Sequence, residues 1–512
     1  MDYRLEKESF TVSRKIFDGS VTQQVELDYI LPDYYPEIFS ILSVRLIPSV
    51  ERRSLGASRL DFELGVLVKM VYLSESGEVS AVEQSLSYGK SQEMPGTFKS
   101  PVISISAVPE SVGCKVINKR RVDIKGVVSA YILVLADEEK EAVSRAVGGG
   151  IQLKRTLVTF PSKRISVNKR ISVSEEIDLG SACQGIKTVL RTNSAITSLE
   201  KRILSGKLLI KGEAEVALLY LSSEKEEPQS VKFSLTFTQI SDVEGLDEHY
   251  DVSLSGAITR TNITQTGKSD PSIIGCELAI EIDMLAMRFE SAELAVDAYS
   301  TLCESSVELT TERLESAPIA VNESKREKTT LTYRDGEISS VIFAGAEVGR
   351  IKEYGEKNGS TVLRGLITFY AYAKNEDSRL IYLETKEQLE LSLSASESES
   401  CQRAQVRGAV LGSSYKLTAS NALEITVDIR LTGFIYEDCE KSFVINVLPD
   451  DTKPLESDSK TAIKLYFAKK GEEPWDIAKS CRASLEAISE ENELDSERLE
   501  EDRMILIPLV GQ

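Results

Sequence analysis

Apolar and polar residues alternate along most of this chain. In the stretch CELAIEIDMLAMRF, which begins at Cys276, Leu278 and Ile280 fall on one face of an extended backbone. Glu277 and Glu281 fall on the opposite face. A period of two residues predicts β-strands, and a polar face on each strand predicts antiparallel sheets with one side in water. The chain is therefore expected to be mainly β.

The strand pattern recurs at a nearly constant interval. Three stretches consist of an apolar strand, a glycine and an alternating strand that ends in aromatic residues: RLDFELGVLVKMVYL with Gly65, GKLLIKGEAEVALLYL with Gly212 and STVLRGLITFYAYA with Gly365. The glycines are 147 and 153 residues apart. Self-similarity at a fixed period indicates a repeat architecture. We predict three tandem antiparallel β-sandwich-like repeats of about 150 residues, at 1–150, 151–303 and 304–450.

Two details of the repeats carry further expectations. The glycine inside the first strand pair is expected to mark a β-bulge or a close backbone approach, rather than a ligand loop. Near the start of the first repeat, Pro36 precedes EIFSIL. Because proline is favoured in the first turn of a helix, a short helix is expected after Pro36.

A different pattern begins after the third repeat. The polar stretch DDTKPLESDSK, which begins at Asp450, has no apolar run, which predicts a linker at 451–461. Residues 462–510 then read as strand, helix, helix and strand. Pro474 is placed to begin the first helix, and Ser484 is placed to cap the second. We therefore predict a small βααβ domain at the end of the chain.

Composition restricts the chemistry that the chain can perform. It has 512 residues, 61 Lys+Arg, 81 Asp+Glu, a formal net charge of -20 and one histidine, His249. A single histidine excludes a metal site built from two histidines of one chain. The acid excess argues against a general nucleic-acid binder, which needs a basic surface.

Cysteine usage and the lack of long apolar stretches point to a reducing, aqueous compartment. The seven cysteines are odd in number and form no C-x-x-C pair, which favours free thiols over a disulfide framework. The start of the chain, MDYRLEKESF, does not resemble a secretory signal. The longest apolar stretch, Val127 to Ala136, is half of the ~20 residues that a membrane-spanning helix needs.

A basic segment interrupts the acidic chain at the start of the second repeat. Residues 152–170 hold six basic side chains and no acid: Lys154, Arg155, Lys163, Arg164, Lys169 and Arg170. One interpretation is that these side chains simply alternate outward along strands. The other is a docking stripe for an acidic protein or an anionic membrane.

The C-terminal residues resemble a LysM domain. They match its opening with Lys470-Gly471-Glu472-Glu473-Pro474-Trp475-Asp476-Ile477-Ala478, its middle with Ile488, Asn492 and Leu494, and its close with Leu506-Ile507-Pro508. The resemblance implies a ligand groove lined by Gly471, Glu472, Glu473, Pro474, Leu494, Asp495 and Ser496, and a core of Trp475, Ile477, Ala478, Ile488 and Ile507. LysM domains typically bind N-acetylglucosamine glycans in this groove. Here Glu472 and Glu473 replace the family's Asp-Thr, which favours a protein ligand.

The whole chain resembles SipL and its relatives, a clostridial spore-morphogenesis family. Its Leu-Pro-x-Tyr-x-Pro-x-Ile motif is matched by Leu31-Pro32-Asp33-Tyr34-Tyr35-Pro36-Glu37-Ile38, and tandem β-rich repeats precede one terminal LysM domain. The resemblance implies a protein of the mother-cell cytosol at the forespore surface. There it binds SpoIVA, the coat morphogenetic ATPase, chiefly through the LysM domain, and helps the coat encase the forespore.

Three functions remain open at this level. The first is a non-catalytic scaffold that binds a SpoIVA-like ATPase and is peripheral to the forespore outer membrane. The second is an envelope protein that binds peptidoglycan through the LysM domain. The third is a hydrolase that depends on His249, a residue we expect in a solvated loop. We expect the first function, without cofactor, metal or nucleic acid.

Overall fold

Antiparallel β-strands make up most of the structure. The computed structural model describes residues 2–96, 98–180, 185–224, 226–266, 272–357, 360–394, 400–455, 463–494, 496 and 498–508. The prediction of a mainly β fold is confirmed. The predicted alternation is present as well, because Leu278 and Ile280 are buried whereas Glu277 is exposed.

Three consecutive sets of strands share one connectivity, and we call them the first, second and third unit. The first unit consists of β1 (Tyr3–Ile30), β2 (Ile38–Leu55), β3 (Arg59–Ser74), β4 (Val79–Glu93), β5 (Lys99–Asn118) and β6 (Arg121–Gly148). The second consists of β7 (Ile151–Asp178), β8 (Ile186–Leu204), β9 (Lys207–Ser222), β10 (Pro228–Asp242), β11 (Asp251–Gln265) and β12 (Ile273–Ser300). In the third, the first two strands are split: β13 (Cys303–Glu315), β14 (Ile319–Thr332), β15 (Ile338–Val348), β16 (Lys352–Lys357), β17 (Ser360–Asn375), β18 (Leu380–Ser394), β19 (Ser400–Ala419) and β20 (Ala422–Pro454).

Each unit is a sandwich of two sheets. In the first unit, the long strands β1 and β6 form one sheet with β5, and β2, β3 and β4 form the other. The second unit repeats this order with β7, β12 and β11 and with β8, β9 and β10, and the third repeats it with its split strands. Apolar side chains from both sheets fill the space between them, such as Leu64 and Val128 in the first unit.

Irregularities in the strands recur at matching positions of the three units. The register between the second and third strands shifts just after Ile38, Ile186 and Ile338. The sixth strand carries an extra residue at Ser144, Val296 and Ile445. Because a bulge bends its strand and re-aims the side chains beside it, the three units bend alike.

Strand pairing decides two of the local expectations. The short helix expected after Pro36 is wrong, because Ile38–Leu55 is strand β2 and pairs along its length with β3. The cross-strand partners satisfy the backbone that a helical turn would otherwise satisfy. Of the two roles considered for the glycines, Gly365 shows a close backbone approach, since a Cβ atom there would lie 3.2 Å from the carbonyl oxygen of Arg350.

The long strands extend beyond the sheet that covers them within their own unit. β1 and β6 have 28 residues each, whereas β3 at the centre of the facing sheet has 16. The projecting ends of the three units meet and bury one another in a cluster that we call the three-unit core: Phe10, Val12, Ala142, Val158, Phe160, Leu294, Leu314 and Phe443. The ring centre of Phe10 lies 6.1 Å from that of Phe160 and 5.0 Å from that of Phe443.

Buried ion pairs join the three units near this core. The side chain of Arg164 in the second unit is 1% exposed. It pairs with Asp137 of the first unit at 3.0 Å and with Glu315 of the third at 2.8 Å. Because a buried guanidinium without partners is costly, Arg164 fits only when all three units are assembled.

A second junction lies beside a pocket of about 2550 Å³ that residues of all three units line. Glu347 of the third unit pairs with Arg45 of the first and, at 3.0 Å, with Arg191 of the second. Burial by itself would raise the pKa of Glu347, but the two guanidinium groups hold that pKa below its usual value. Arg191 also stacks on the ring of Tyr370, 3.2 Å from its centre.

The three-unit core generates a stability prediction. Phe10→Ala removes a ring that packs against both other units, and we expect it to cost about 3–5 kcal/mol, as truncation of a buried phenylalanine does. Thermal unfolding followed by circular dichroism measures the loss. Tyr34→Ala is the matched control, because Tyr34 is 81% exposed and its removal should change stability by no more than ~0.5 kcal/mol. Equal melting temperatures for Phe10→Ala and the control would contradict the shared core.

Candidate partner-binding site at the C-terminal module

The last described residues form a small module with the predicted order of elements. Strand β21 (Ile463–Ala468) pairs with β22 (Arg503–Pro508), and between them lie α1 (Pro474–Cys481) and α2 (Leu485–Asn492). Pro474 begins α1, and the Ser484 hydroxyl caps α2 by accepting a hydrogen bond from the backbone N–H of Ala487. We call Ile463–Pro508 the C-terminal module.

The five side chains expected in the core of the module are buried there. They are Trp475, Ile477, Ala478, Ile488 and Ile507. Asn492, one of the residues that match the LysM pattern, makes three hydrogen bonds through its side chain. Its side chain donates to the carbonyl groups of Ile488 and Leu506 and accepts from the N–H of Leu506 at 2.7 Å. Asn492 therefore ties α2 to β22.

The two loops that line the predicted groove are joined to each other. Gly471 donates its N–H to the carbonyl of Leu499 at 2.8 Å, and Leu499 donates to the carbonyl of Glu472 at 3.0 Å. Gly471 has a φ of 88°, a conformation that favours glycine. Arg498 donates to the carboxylate of Glu473 at 3.2 Å, so a charged pair spans the two loops.

The remaining groove residues differ in how far they reach solvent. Gly471 and Ser496 are exposed, Glu472, Glu473 and Leu494 are half-buried, and Pro474 is buried. Asp495 lies outside the described residues. The printed contacts join Gly471, Glu472 and Glu473 to Arg498 and Leu499, and the groove as a ligand site stays a prediction.

The module is held against the second unit by one carboxylate. Asp297, near the end of β12, accepts a hydrogen bond from the indole N–H of Trp475 at 2.8 Å and pairs with Lys479 at 2.7 Å. Burial by itself would raise the pKa of Asp297, but the hydrogen bonds from Lys479 and Trp475 outweigh it and lower that pKa. Asp297 is therefore ionised at neutral pH and serves two donors of α1.

Tyr299 completes this contact. Its side chain is fully buried within the core of the module, and its ring centre lies 5.0 Å from that of Trp475. Its hydroxyl donates to the carbonyl of Ala483 at 2.7 Å. Burial raises the pKa of this hydroxyl, which keeps it protonated as a donor. The core of the module therefore includes a residue of the second unit.

The bulge in β12 explains why the second unit receives the module. The extra residue Val296 precedes Asp297 in the pairing with β7. At the matching bulges, the first unit has Arg145 and the third has Asn446. Neither side chain can supply a carboxylate to Trp475 and Lys479. Asp297 was not predicted from the sequence, where its one signal is an acid inside the apolar run LAVDAY.

The six residues of the predicted basic stripe do not share one surface. Lys154 pairs with Glu473 of the module, and Arg164 is buried between the three units. Arg170 donates to the carbonyl of Val50 in the first unit at 2.5 Å. The other three, Arg155, Lys163 and Lys169, are exposed, and Arg155 pairs with Glu293 at 3.0 Å. Their role in docking stays a prediction.

The meeting of Lys154 with Glu473 joins two sites that were predicted separately, the basic stripe and the groove. Lys154 stands directly opposite Asp297 in the β7–β12 pairing. Lys154 and Arg498 hold the pKa of Glu473 below its usual value, and Lys154 has the larger effect. The second unit therefore fixes one wall of the groove.

Comparison with known families gives one match. Residues 185–266 match the family described as SipL, SPOCS domain. This match supports a SipL-like protein with a sporulation-related role. The matched residues contain β8, β9, β10 and β11 of the second unit, whereas the Leu-Pro-x-Tyr motif noted above lies in the first. No curated protein and no solved structure matches the chain.

A metal cluster and a membrane-spanning helix are both absent from the part of the chain that the structure describes. There, no group of three or more His, Cys, Asp and Glu side chains is arranged to hold a metal ion. No helix among the described residues has the length and apolar character needed to span a bilayer. His249 is exposed at a turn, where its backbone N–H donates to the carboxylate of Asp247 at 2.9 Å and its ring Nδ1 lies 3.3 Å from the same oxygen.

The role of Asn492 can be tested with the single tryptophan as the probe. Asn492→Ala leaves the N–H and carbonyl of Leu506 without their partners, and we expect a loss of about 1–3 kcal/mol in the stability of the module. Trp475 fluorescence during thermal unfolding reports on the module and on its contact with the second unit. Glu491→Ala, at the exposed neighbouring position of α2, is the control and should unfold as the wild type does. Coincident unfolding transitions for the two variants would contradict the role of Asn492 in tying α2 to β22.

Proposed function

We propose that this chain is a non-catalytic scaffold of spore morphogenesis. Its C-terminal module is a LysM domain that binds a coat morphogenetic ATPase of the SpoIVA type, and its action helps the coat encase the forespore. The proposed place of action is the mother-cell cytosol at the forespore surface. The match of residues 185–266 to the SipL SPOCS family carries this proposal.

The architecture supports a scaffold. The three units share buried side chains such as Phe10 and Phe160, so they form one platform rather than three independent domains. Asp297 and Tyr299 hold the module against that platform. A rigid arrangement of this kind lowers the entropy that is lost when a partner binds.

The groove geometry favours a protein ligand over a glycan. A glycan that entered between the loops would have to displace the Glu473–Arg498 pair and its link to Lys154. The carboxylate of Glu473 also stands where the family pattern has the small hydroxyl of threonine. Charged side chains of this kind suit an interface with a protein of complementary charge, which gains specificity and association rate from them.

Truncation tests the proposal. We expect a chain that ends at Leu455 to lose capture of the purified SpoIVA-like ATPase while its three units keep the far-ultraviolet circular dichroism of strands. The cut lies beyond β20, which pairs with β13 up to Pro454. Undiminished capture by the truncated chain would rule out the module as the binding element.

A parallel measurement distinguishes the glycan alternative. The intact chain is passed over peptidoglycan and chitin beads, with the truncated chain as the matched control. The proposal expects no difference in retention between the two chains. Retention of the intact chain alone would favour a glycan-binding envelope protein instead.

A further inference from the structure

We infer that Asp297 and Tyr299 of the second unit are positioning residues for partner binding, because the module binds its protein partner in the docked arrangement. This inference rests on the proposed function and adds a requirement to it. The module alone is not the binding element; the module held by the second unit is.

Docking leaves the binding loops open. The second unit contacts the module through Trp475 and Lys479 of α1 and through the Ala483 carbonyl in the turn between the helices. On the loops that line the groove, Gly471 is exposed and the Arg498 side chain is 71% exposed. Lys154 of the second unit meets the groove at Glu473, and a partner can still reach Gly471 and Arg498 without displacing it.

The second unit also shapes the groove. Lys154 of β7 pairs with Glu473, and Glu473 in turn pairs with Arg498 of the opposite loop. Lys154 lies opposite Asp297 across the β7–β12 pair, so the residue that anchors α1 and the residue that holds the groove are neighbours. Loss of docking would leave Glu473 with Arg498 alone and would free the loop to move.

The module depends on the second unit for part of its core. A domain of this size buries little apolar surface and is marginally stable by itself. Tyr299 is fully buried among Trp475 and the other core residues of the module. The matching residues at the other two bulges are Val147 and Leu448, which stay exposed. The contact is thus specific to one unit.

Docking fixes the direction in which the groove faces relative to the three-unit platform. A partner that touches the groove and the platform together then gains the second contact at a high effective concentration. Undocking would lose this gain even when every loop residue is intact.

The experiment uses the full chain with substitutions outside the loops. Asp297→Ala removes the acceptor of Trp475 and Lys479, and Asp297→Asn keeps an acceptor for the indole but removes the charge. Asn446→Ala is the matched control, because Asn446 occupies the same bulge position in the third unit. Iodide quenching of Trp475 fluorescence measures docking, and titration with the purified SpoIVA-like ATPase measures affinity.

We expect quenching to rise and affinity to fall in the order wild type, Asp297→Asn, Asp297→Ala. The Kd of Asp297→Ala should be about ten-fold higher than that of the wild type, which corresponds to the loss of one charge-assisted anchor. The thermal unfolding of the three units and the behaviour of Asn446→Ala should not change. A role limited to general stability would instead lower the melting temperature of the whole chain.

Each other outcome overturns the inference. If Asp297→Ala exposes Trp475 and yet binds the ATPase as tightly as the wild type, or more tightly, docking is dispensable or inhibitory. If Trp475 stays shielded in Asp297→Ala, Asp297 does not hold the module. If the wild-type chain itself fails to bind the ATPase, the proposed function falls together with the inference, and the wild-type titration identifies that case.

Discussion

The overhang of the long strands is the constraint on which the rest of this structure depends. β1 and β6 extend for 28 residues, but the facing sheet covers only part of that length. The uncovered ends carry large apolar side chains such as Phe10 and Phe160, which would be exposed in an isolated unit. At roughly 1.5–3 kcal/mol for each buried apolar side chain, the three units gain stability only by covering one another. The repeats are therefore interdependent.

The same constraint positions the candidate site. Because the long strands project past their sandwiches, the end of β12 and the start of β7 lie clear of the sheet that covers the rest of the second unit. The bulge at Val296 turns Asp297 and Tyr299 towards the module. An acid and an aromatic residue at one bulge are enough to distinguish the second unit from the others. Local sequence differences at a shared structural position thus give a repeat protein an asymmetric docking point.

The charge distribution also gains meaning from the assembly. The chain carries a net charge of -20, yet several of its arginines lie inside. Arg164 and Arg191 are each 1% exposed, and each contacts a carboxylate of another unit. Removal of one partner from such a pair leaves a buried charge, so these pairs penalise any arrangement in which a unit is absent. They add specificity to the association that the apolar core drives.

Sequence alone determined the local elements. Alternation with a period of two residues predicts the strands, and Pro474 and Ser484 mark the helix starts of the module, because these signals arise from neighbouring residues. Pro36 shows the limit of such signals: its helix is replaced by a strand, since β3 offers pairing that a local pattern does not reveal. Only the tertiary structure decided that Arg164 is buried, that Lys154 meets Glu473 and that Asp297 anchors Trp475. These contacts join residues more than 100 positions apart, and which segments cover an apolar strand end depends on the packing of the whole chain.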